Sequence, residues 1–335
     1  MRRVDGWMVG RGSSSVQADT GPAYAAPVDS GGGLPTPMIM GYYYDPGNSQ
    51  RAQADLKRYG NLLTGIVPFW YTIYADGTVV GQSDPKTLAF AAAKHLYVFA
   101  LVQNMAGNSV FHPLLNNPAA VNRAVGQLLQ LVRTNGYSGV NLDFEGIAPA
   151  DRAAFTAFVR KLSHRLHKDG YYLTLSIPAK TQSDPANAWS GAYDYKALGS
   201  YADLIMLMAY DQHSQNSAPG PIASKRWVQA VVAYAVTQIP PNKIILGVPA
   251  YGYSWAPGGP ATALSWGQAA NLAQAHGANR AKGYLRYFQG GVWHQVWYEN
   301  AQTFLQKVGV VTDYNLRGII LWRLGIEDPN IWHTF

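Results

Sequence analysis

The stretch GYSGVNLDFEGI (Gly136–Ile147) has the alternation of a buried strand, but only one of its two faces is apolar. Side chains along a strand point alternately to opposite faces. One face carries Val140, Leu142 and Phe144. The other carries Asn141, Asp143 and Glu145. Burying an unpaired carboxylate costs several kcal/mol, so the polar face indicates a structural polar network, a face turned to water, or a functional site.

From Met38 onward, strand-like segments alternate with helix-like segments. The predicted strands are Met38–Tyr44, Gly65–Ile73, Leu96–Asn104, Val140–Gly146, Tyr171–Pro178, Asp203–Asp211, Asn242–Tyr253 and Arg317–Gly325. Ser49 is the predicted N-cap of the first helix. Continuous apolar strands between amphipathic helices indicate a parallel sheet that is covered on both faces.

Eight such units in about 290 residues fit a closed α/β architecture, the (β/α)8 TIM barrel. An open doubly wound sheet is the alternative, but it usually has fewer strands and a glycine-rich first turn. No GxGxxG follows the first predicted strand. We therefore predict a barrel in which the polar face of strand four points to the axis and Glu145 lies nearest the C-terminal rim.

Two segments depart from this alternation. Residues 1–36 are rich in Gly, Ser and Pro and predict a flexible tail before a catalytic barrel over 37–335. Residues 254–298, approximately, contain one helical piece and a hairpin that turns at Gly290 and Gly291. They predict a small α+β insertion after strand seven, over the barrel mouth where active sites of this fold lie.

Composition restricts the classes of function. The chain has 26 Lys and Arg against 19 Asp and Glu, a net charge of +7, but no basic run typical of nucleic-acid binding. It has no cysteine, which excludes disulfides and thiolate metal sites. No apolar run reaches the ~18 residues of a membrane span. Arg2 and Arg3 are typical of the start of a signal peptide, but the apolar region is missing, so no intact signal peptide is predicted.

No metal or cofactor is predicted. His164 and His167 are three residues apart on a predicted outer helix, but no carboxylate completes a ligand set. Asp143 and Glu145 offer different chemistry, because carboxyl groups two positions apart on a strand lie roughly 6–7 Å from each other. Glycoside hydrolysis is the reaction class that uses closely spaced carboxyl groups in this way.

The stretch also resembles a known family. GVNLDFE is similar to the DxxDxDxE signature of family 18 glycoside hydrolases, the chitinase-like (β/α)8 barrels. LMAYD (Leu207–Asp211), IILGVPAYGY (Ile244–Tyr253) and the Trp of IILWRLG resemble the motifs of strands six, seven and eight of that family. PGPIASKRWV and VWYENAQTFLQKV resemble the branch of spore cortex-lytic N-acetylglucosaminidases.

The match has departures. The first two aspartates of the signature fall on Ser138 and Asn141, whereas the catalytic pair falls on Asp143 and Glu145. Asn141 removes one charge from the row but keeps the capacity to hydrogen-bond Asp143. The Ser-rich strand-three motif of the family is replaced by VQNMAG.

The resemblance implies residue roles. Glu145 would protonate the leaving oxygen and later activate water, Asp143 would orient the acetamido group of the substrate, and Tyr210 would hydrogen-bond that group. Trp322 would form the apolar floor under the sugar, and Asp211 would bind a sugar hydroxyl or cap the following loop. Further candidate substrate-binding residues, each with packing as its alternative, are Asn141, Met208, Tyr42, Tyr44, Gln103, Tyr251 and Tyr253.

The function implied is retaining, substrate-assisted hydrolysis of β-1,4 bonds that follow N-acetylglucosamine. Peptidoglycan, including spore cortex, is the first expected substrate, and chitin or its oligomers the second. A non-catalytic sugar-binding relative of the same fold is the third reading. We expect a monomer that acts outside the cytoplasm on a polysaccharide, with no nucleic-acid or membrane partner.

Overall fold

The computed structural model describes residues 33–46, 49–104 and 107–335. Most of the predicted tail, residues 1–36, lies outside this described part. The strands are β1 (Met38–Tyr43), β2 (Gly65–Ile73), β3 (Val79–Gly81), β4 (Tyr97–Gln103), β5 (Gly139–Asp143), β6 (Tyr172–Pro178), β7 (Leu204–Met208), β8 (Ile244–Pro249), β9 (Tyr251–Trp255), β10 (Thr262–Ser265), β11 (Tyr284–Gln289), β12 (Val292–Tyr298) and β13 (Gly318–Trp322).

The α-helices lie between these strands. They are α1 (Arg51–Tyr59), α2 (Pro85–Ala93), α3 (Asn108–Leu115), α4 (Pro118–Asn135), α5 (Arg152–His167), α6 (Tyr195–Tyr201), α7 (Lys225–Ala235), α8 (Trp266–Ala275) and α9 (Ala301–Asp313). Within the described ranges, no helix combines the length and the apolar character that crossing a bilayer requires.

Eight of the strands close into a parallel ring. The order around it is β1, β2, β4, β5, β6, β7, β8 and β13, and β13 pairs again with β1. The predicted (β/α)8 TIM barrel is therefore confirmed. Its interior is filled by large apolar side chains, among them Met40, Phe99, Leu101, Met206 and Ile320.

Strand β5 has the orientation that its alternation predicts. Phe144, directly after the strand, packs against the outer helices, with its ring 4.5 Å from that of Phe111 and 5.8 Å from that of Phe158. Val140 and Leu142 belong to the same outer core. The polar side chains of the strand consequently point to the barrel axis.

The N-terminus of α1 is capped differently from the prediction. Ser49 is not the cap, because Gln50 precedes the helix in a left-handed conformation with φ 55° and makes no side-chain capping bond. The carboxylate of Asp45 instead accepts the backbone amides of Ala52 and Gln53 at 2.8 and 3.0 Å. Capping thus comes from the loop after β1, which ties this edge of the barrel mouth to α1.

The seventh barrel strand is shorter than predicted. The pattern over Asn242–Tyr253 is continuous, but β8 ends at Pro249 and the amide of Ala250 bonds to the carbonyl of Trp322. Tyr251 then starts β9, which belongs to a different sheet. The single predicted strand was wrong because the apolar run continues while its hydrogen-bond partners change.

The insertion after β8 is an α+β unit, as predicted. Its four strands pair antiparallel in the order β10, β9, β12, β11, and α8 packs on this sheet through Ala269 and Ala273. The β11–β12 hairpin turns at Gly290 and Gly291, whose φ values are 60° and 79°. Two adjacent positive φ values are what a tight type I′ turn requires and what glycine adopts without strain.

A carboxyl pair, buried Glu327 and half-buried Asp55, joins the segment after β13 to α1. Glu327 accepts the amides of Gly325 and Ile326 at 2.8 and 3.0 Å and the indole N–H of Trp332 at 2.9 Å. Burial, followed by the charge of Asp55, raises the pKa of Glu327 to about 8. Burial also raises the pKa of Asp55. At neutral pH the pair therefore retains a proton.

This pair predicts a loss of stability at alkaline pH. The pKa of Glu327 rises from 4.5 to about 8 on folding, so folded protein holds a proton that unfolded chain releases between those values. The stability that this proton contributes is therefore complete below pH 4.5 and is lost as the pH rises through about 8. Glu327→Gln cannot ionise, and we expect it to reduce the decrease in unfolding free energy between pH 5 and 9 by roughly 2–4 kcal/mol.

Urea unfolding at the two pH values measures this difference. Asp55→Asn should flatten the dependence in the same direction, because it removes the other member of the pair. Wild type and Glu327→Gln losing equal stability between pH 5 and 9 would show that the pair does not bind the proton.

Candidate active site

A cavity of about 690 Å³ lies between the C-terminal ends of the barrel strands and the insertion. Its volume is that of a small-molecule or oligosaccharide site. The candidate residues that form its wall are Tyr44, Glu145, Met208, Tyr210, Asp211, Tyr251, Tyr253 and Trp322. These residues come from β1, β5, β7, β9 and β13 or the segments directly after them, so the barrel converges them on one space.

The two acidic candidates differ in exposure. Asp143 is the last residue of β5 and is 1% exposed. Glu145 follows two positions later, is partly exposed and forms part of the cavity wall. A ligand in the cavity therefore meets Glu145 directly, with Asp143 buried one step further down the barrel axis.

Asn104, directly after β4, holds the backbone of Glu145. Its side-chain N–H₂ donates to the Glu145 carbonyl at 2.9 Å, and its side-chain oxygen accepts the Glu145 amide at 3.0 Å. Both backbone polar groups of Glu145 are thus held by one side chain, that of Asn104, which is 7% exposed. The sequence pattern pointed to the neighbouring Gln103 instead.

Removing the two hydrogen bonds between the Asn104 side chain and the backbone of Glu145 should reduce turnover. The resemblance implies that Glu145 is the general acid, and an acid displaced by a fraction of an ångström would lose alignment with the leaving oxygen, so we expect Asn104→Ala to lower kcat roughly 10- to 100-fold with little change in KM. Asn117→Ala is the matched control: Asn117 caps α4 through the amides of Ala119 and Ala120, far from Glu145 in sequence and outside the cavity wall.

Steady-state kinetics and thermal unfolding of both variants separate the two roles. Both should be less stable than wild type, but only Asn104→Ala should lose kcat. If the two variants had equal kcat values, Asn104 would contribute to stability only and not to the positioning of Glu145.

Two candidates lie below the cavity rather than in its wall. The amide of Asn141 donates to Thr174 Oγ1 at 2.9 Å and accepts from Ser176 Oγ at 3.0 Å. Ser176 also hydrogen-bonds the hydroxyl of Tyr42 at 2.7 Å, and Tyr42 is 1% exposed. Their polar atoms are used in this network, which fixes the barrel interior beneath the site.

Gln103 likewise does not form part of the wall. It is 3% exposed, donates to Thr72 Oγ1 at 2.8 Å, and is paired in register with Asp143 on the adjacent strand. Side chains paired in register lie on the same face of a sheet, so Gln103 and Asp143 both point to the barrel axis.

Trp322, at the end of β13, gives the cavity a flat apolar surface. Its ring lies 6.3 Å from that of Tyr210 at an interplanar angle of 24°. The edge-on rings of Tyr42 and Phe69 support it from below, at 5.0 and 6.1 Å. A sugar ring stacks on such a surface through its apolar face.

Asp211 connects the barrel to the insertion. Its Oδ1 accepts the hydroxyls of Tyr251 and Tyr253 at 2.5 and 3.1 Å. Burial, followed by the charge of Asp211, raises the pKa of Tyr251 well above its usual value. Asp211 adopts a left-handed backbone with φ 58°, which Asp tolerates better than most residues. Tyr251 thus keeps its proton, and the hydrogen bonds of both tyrosines to Asp211 hold the insertion over β7.

Several residues of the wall were missed by reasoning from the sequence. Trp189 and Trp227 lie in the loop after β6 and at the start of α7, and Gln268 lies in α8. None of them is at a barrel strand end, the position that guided the prediction. Arg51 and Arg323 were also missed, although Arg323 directly follows Trp322.

No candidate metal centre emerges from the described residues. No group of three or more His, Asp or Glu side chains is placed there to hold an ion. His167 instead hydrogen-bonds the carboxylate of Asp203 at 2.8 Å on the outside of the barrel.

Comparison with known proteins agrees with the barrel and the strand motifs. The family model described as "Glycosyl hydrolases family 18" matches residues 38–327. The uncharacterised glycosylase YvbX of Bacillus subtilis is 30% identical, over 83% of this chain and 85% of its own length.

Two solved structures extend this comparison. The spore cortex-lytic enzyme SleL of Bacillus megaterium superposes with a TM-score of 0.81 at 25% identity, covering 89% of this chain and 72% of its own. A chitinase of Chromobacterium violaceum superposes with a TM-score of 0.79 at 30% identity, covering 89% and 97%.

Proposed function

The chain belongs to glycosyl hydrolase family 18, and from that premise we propose that it hydrolyses β-1,4 bonds that follow N-acetylglucosamine, with retention of configuration. The observation that carries the proposal is the acid pair at the end of β5: Asp143 is its buried last residue, and Glu145, two positions later, lies in the cavity wall. A partly exposed acid beside a buried one can supply a proton to a ligand while the second carboxyl group remains shielded from water.

The proposed mechanism uses the acetamido group of the substrate as the nucleophile, an exception to the scheme with two enzyme carboxylates. Glu145 donates its proton to the glycosidic oxygen as the bond to the anomeric carbon breaks. The acetamido oxygen bonds to that carbon and forms a cyclic oxazolinium intermediate. Glu145 then takes a proton from water, whose oxygen attacks the anomeric carbon and reopens the ring.

Asp143 and Tyr210 would position the acetamido group in this scheme. The Asp143 carboxylate accepts the acetamido N–H and stabilises the positive charge that develops on the oxazolinium ring. Tyr210, in the cavity wall beside Trp322, donates its hydroxyl to the acetamido group. The ring of Trp322 holds the sugar from below, so the reacting atoms are aligned before the bond breaks.

Peptidoglycan, including spore cortex, is the proposed substrate. The similarity to the spore cortex-lytic enzyme SleL supports it, and the net charge of +7 suits an anionic wall polymer. The similarity to a chitinase supports chitin oligomers as the second candidate. On either substrate the protein would act outside the cytoplasm, as a monomer that binds polysaccharide.

A non-catalytic sugar-binding protein is the alternative of a different class. It would need the cavity and Trp322 but not an acid in the wall. The position of Glu145 in the cavity wall favours the enzyme.

Mass spectrometry of digested spore cortex and of chitin oligomers tests the proposal. We expect products with N-acetylglucosamine at the new reducing end, and the substrate that is cleaved faster identifies the preferred polymer. Binding of both substrates without any product would contradict hydrolysis and support the sugar-binding alternative.

A further inference from the structure

Two arginine side chains, Arg323 and Arg51, form part of the cavity wall. Arg323 follows Trp322, and Arg51 is the first residue of α1; both side chains line the cavity. Arg323 is only 8% exposed, whereas Arg51 is exposed. Within the described ranges, neither guanidinium lies within ion-pair distance of a carboxylate.

Arg323 uses little of its hydrogen-bonding capacity. One guanidinium N–H donates to the carbonyl of Tyr44 at 2.7 Å, and the group lies over the Tyr44 ring at 5.2 Å. In the described part of the chain it donates no other hydrogen bond. Guanidinium has five N–H donors in a fixed fork, so several remain for a ligand. Burial lowers the pKa of Arg323, but arginine stays charged in proteins.

Asp45 and Glu327, the carboxyl groups whose charge acts on Arg323, are occupied elsewhere and lie outside the wall. The carboxylate of Asp45 caps α1 through the amides of Ala52 and Gln53. Glu327 accepts two backbone amides and an indole N–H and shares a proton with Asp55. The face that Arg323 and Arg51 present to the cavity is therefore positive.

A buried cation whose donors are unused costs stability unless a ligand completes it. The chemistry that matches two parallel N–H groups is a carboxylate, which arginine binds bidentately. Glycans built only of N-acetylglucosamine carry no such group. Peptidoglycan carries it on the lactyl ether of its muramic acid residues and on its peptide stems.

We propose that Arg323, assisted by Arg51, binds a carboxylate of the glycan beside the cleaved N-acetylglucosamine and thereby selects acidic, peptidoglycan-type chains over chitin. This inference rests on the proposed function, because it assigns the substrate class of the same cavity. Arg323 acts here as a specificity residue: it contacts a substituent that takes no part in bond breaking.

Matched oligosaccharides test it. The first is a tetrasaccharide of alternating N-acetylglucosamine and N-acetylmuramic acid with free lactyl carboxylates. The second is the same compound with those carboxylates converted to methylamides, and the third carries peptide stems on the lactyl groups. Wild type should cleave the acid at least 10-fold more efficiently than the methylamide, mainly through KM, as one charged hydrogen-bonded pair provides.

Arg323→Gln should abolish this preference, bringing the ratio of kcat/KM for the acid to kcat/KM for the methylamide close to one. Arg323→Lys keeps the positive charge but not the two parallel N–H donors of a guanidinium, so it should retain only part of the preference for the acid. Arg51→Gln alters an exposed side chain, so little effect on folding is expected, and it should reduce the preference several-fold. Preference for the stem-bearing compound over the free acid would assign the site to peptide carboxylates.

Titration calorimetry with Glu145→Gln separates this inference from the proposed function. If wild type cleaves none of the three compounds, hydrolysis fails, but binding of the acid over the methylamide by this variant still supports the cationic site. Equal binding of acid and methylamide, or an equal loss of kcat/KM on both in Arg323→Gln, overturns it and leaves Arg323 with only its bond to Tyr44.

Discussion

Replacing Glu145 by Gln is expected to lower kcat by about 1,000-fold or more, with KM changed only slightly. The amide has nearly the shape of the acid and keeps the two backbone bonds to Asn104. It has no proton to give to the glycosidic oxygen and no basic site to take one from water, so both steps slow. The rate at which reducing ends form at saturating substrate gives kcat, and therefore measures this loss directly.

Glu327→Gln is the matched control for this exchange. It makes the same chemical change in a glutamate that is not in the cavity wall. At pH 6 its kcat should stay near that of wild type. If Glu145→Gln retained more than a tenth of wild-type kcat, another group would have to be the acid.

Asp143→Asn should have the second largest effect, a decrease in kcat of roughly 100- to 1,000-fold. The carboxylate is buried next to where positive charge is expected to develop, and the neutral amide cannot stabilise that charge. Folding responds in the opposite direction, because an amide costs less to bury than a carboxylate. We therefore expect the free energy of unfolding to be unchanged or higher.

Kinetics and urea unfolding on one preparation of Asp143→Asn check both parts of this expectation. Lower activity in a protein at least as stable as wild type would identify Asp143 as functional. A variant that is destabilised and loses activity in proportion would make Asp143 a structural residue.

The barrel and the orientation of β5 could be predicted from the sequence because both follow from local patterns. The two-residue period over Val140–Glu145 assigns one face to the helices and the other to the axis, and the packing of Phe144 agrees with it. Parallel strands in a ring then bring their C-terminal ends together. This is why Glu145, Tyr210 and Trp322, far apart in sequence, border one cavity.

Contacts between loops could not be predicted in this way. Asn104 holds Glu145 across 41 positions of sequence, and no periodicity links the two. Asp45 replaces Ser49 as the cap of α1 because the loop after β1 folds back, which depends on tertiary packing. Arg323 was missed for a related reason: a cation after a strand is ordinary until its burial and its one hydrogen bond are seen.

Tyr42 and Pro249 show what a residue's position along a predicted strand does not reveal about its contacts. Tyr42 is a candidate substrate-binding residue near the end of the first predicted strand, Met38–Tyr44, but its side chain is buried and bonds Ser176. The strand through Pro249 looked uninterrupted because its apolar run continues into β9. In both cases the missing information was the partner across the sheet, which a single strand's sequence does not contain.

The most direct test of the acid pair Asp143 and Glu145 is the configuration of the first product, followed by proton NMR during hydrolysis of a tetramer of N-acetylglucosamine or of its muramic acid-containing counterpart. Attack by the acetamido group and then by water inverts the anomeric carbon twice, so the new reducing end should appear as the β-anomer before it equilibrates. An α-anomer formed first, or no new reducing end from either compound, would contradict the account.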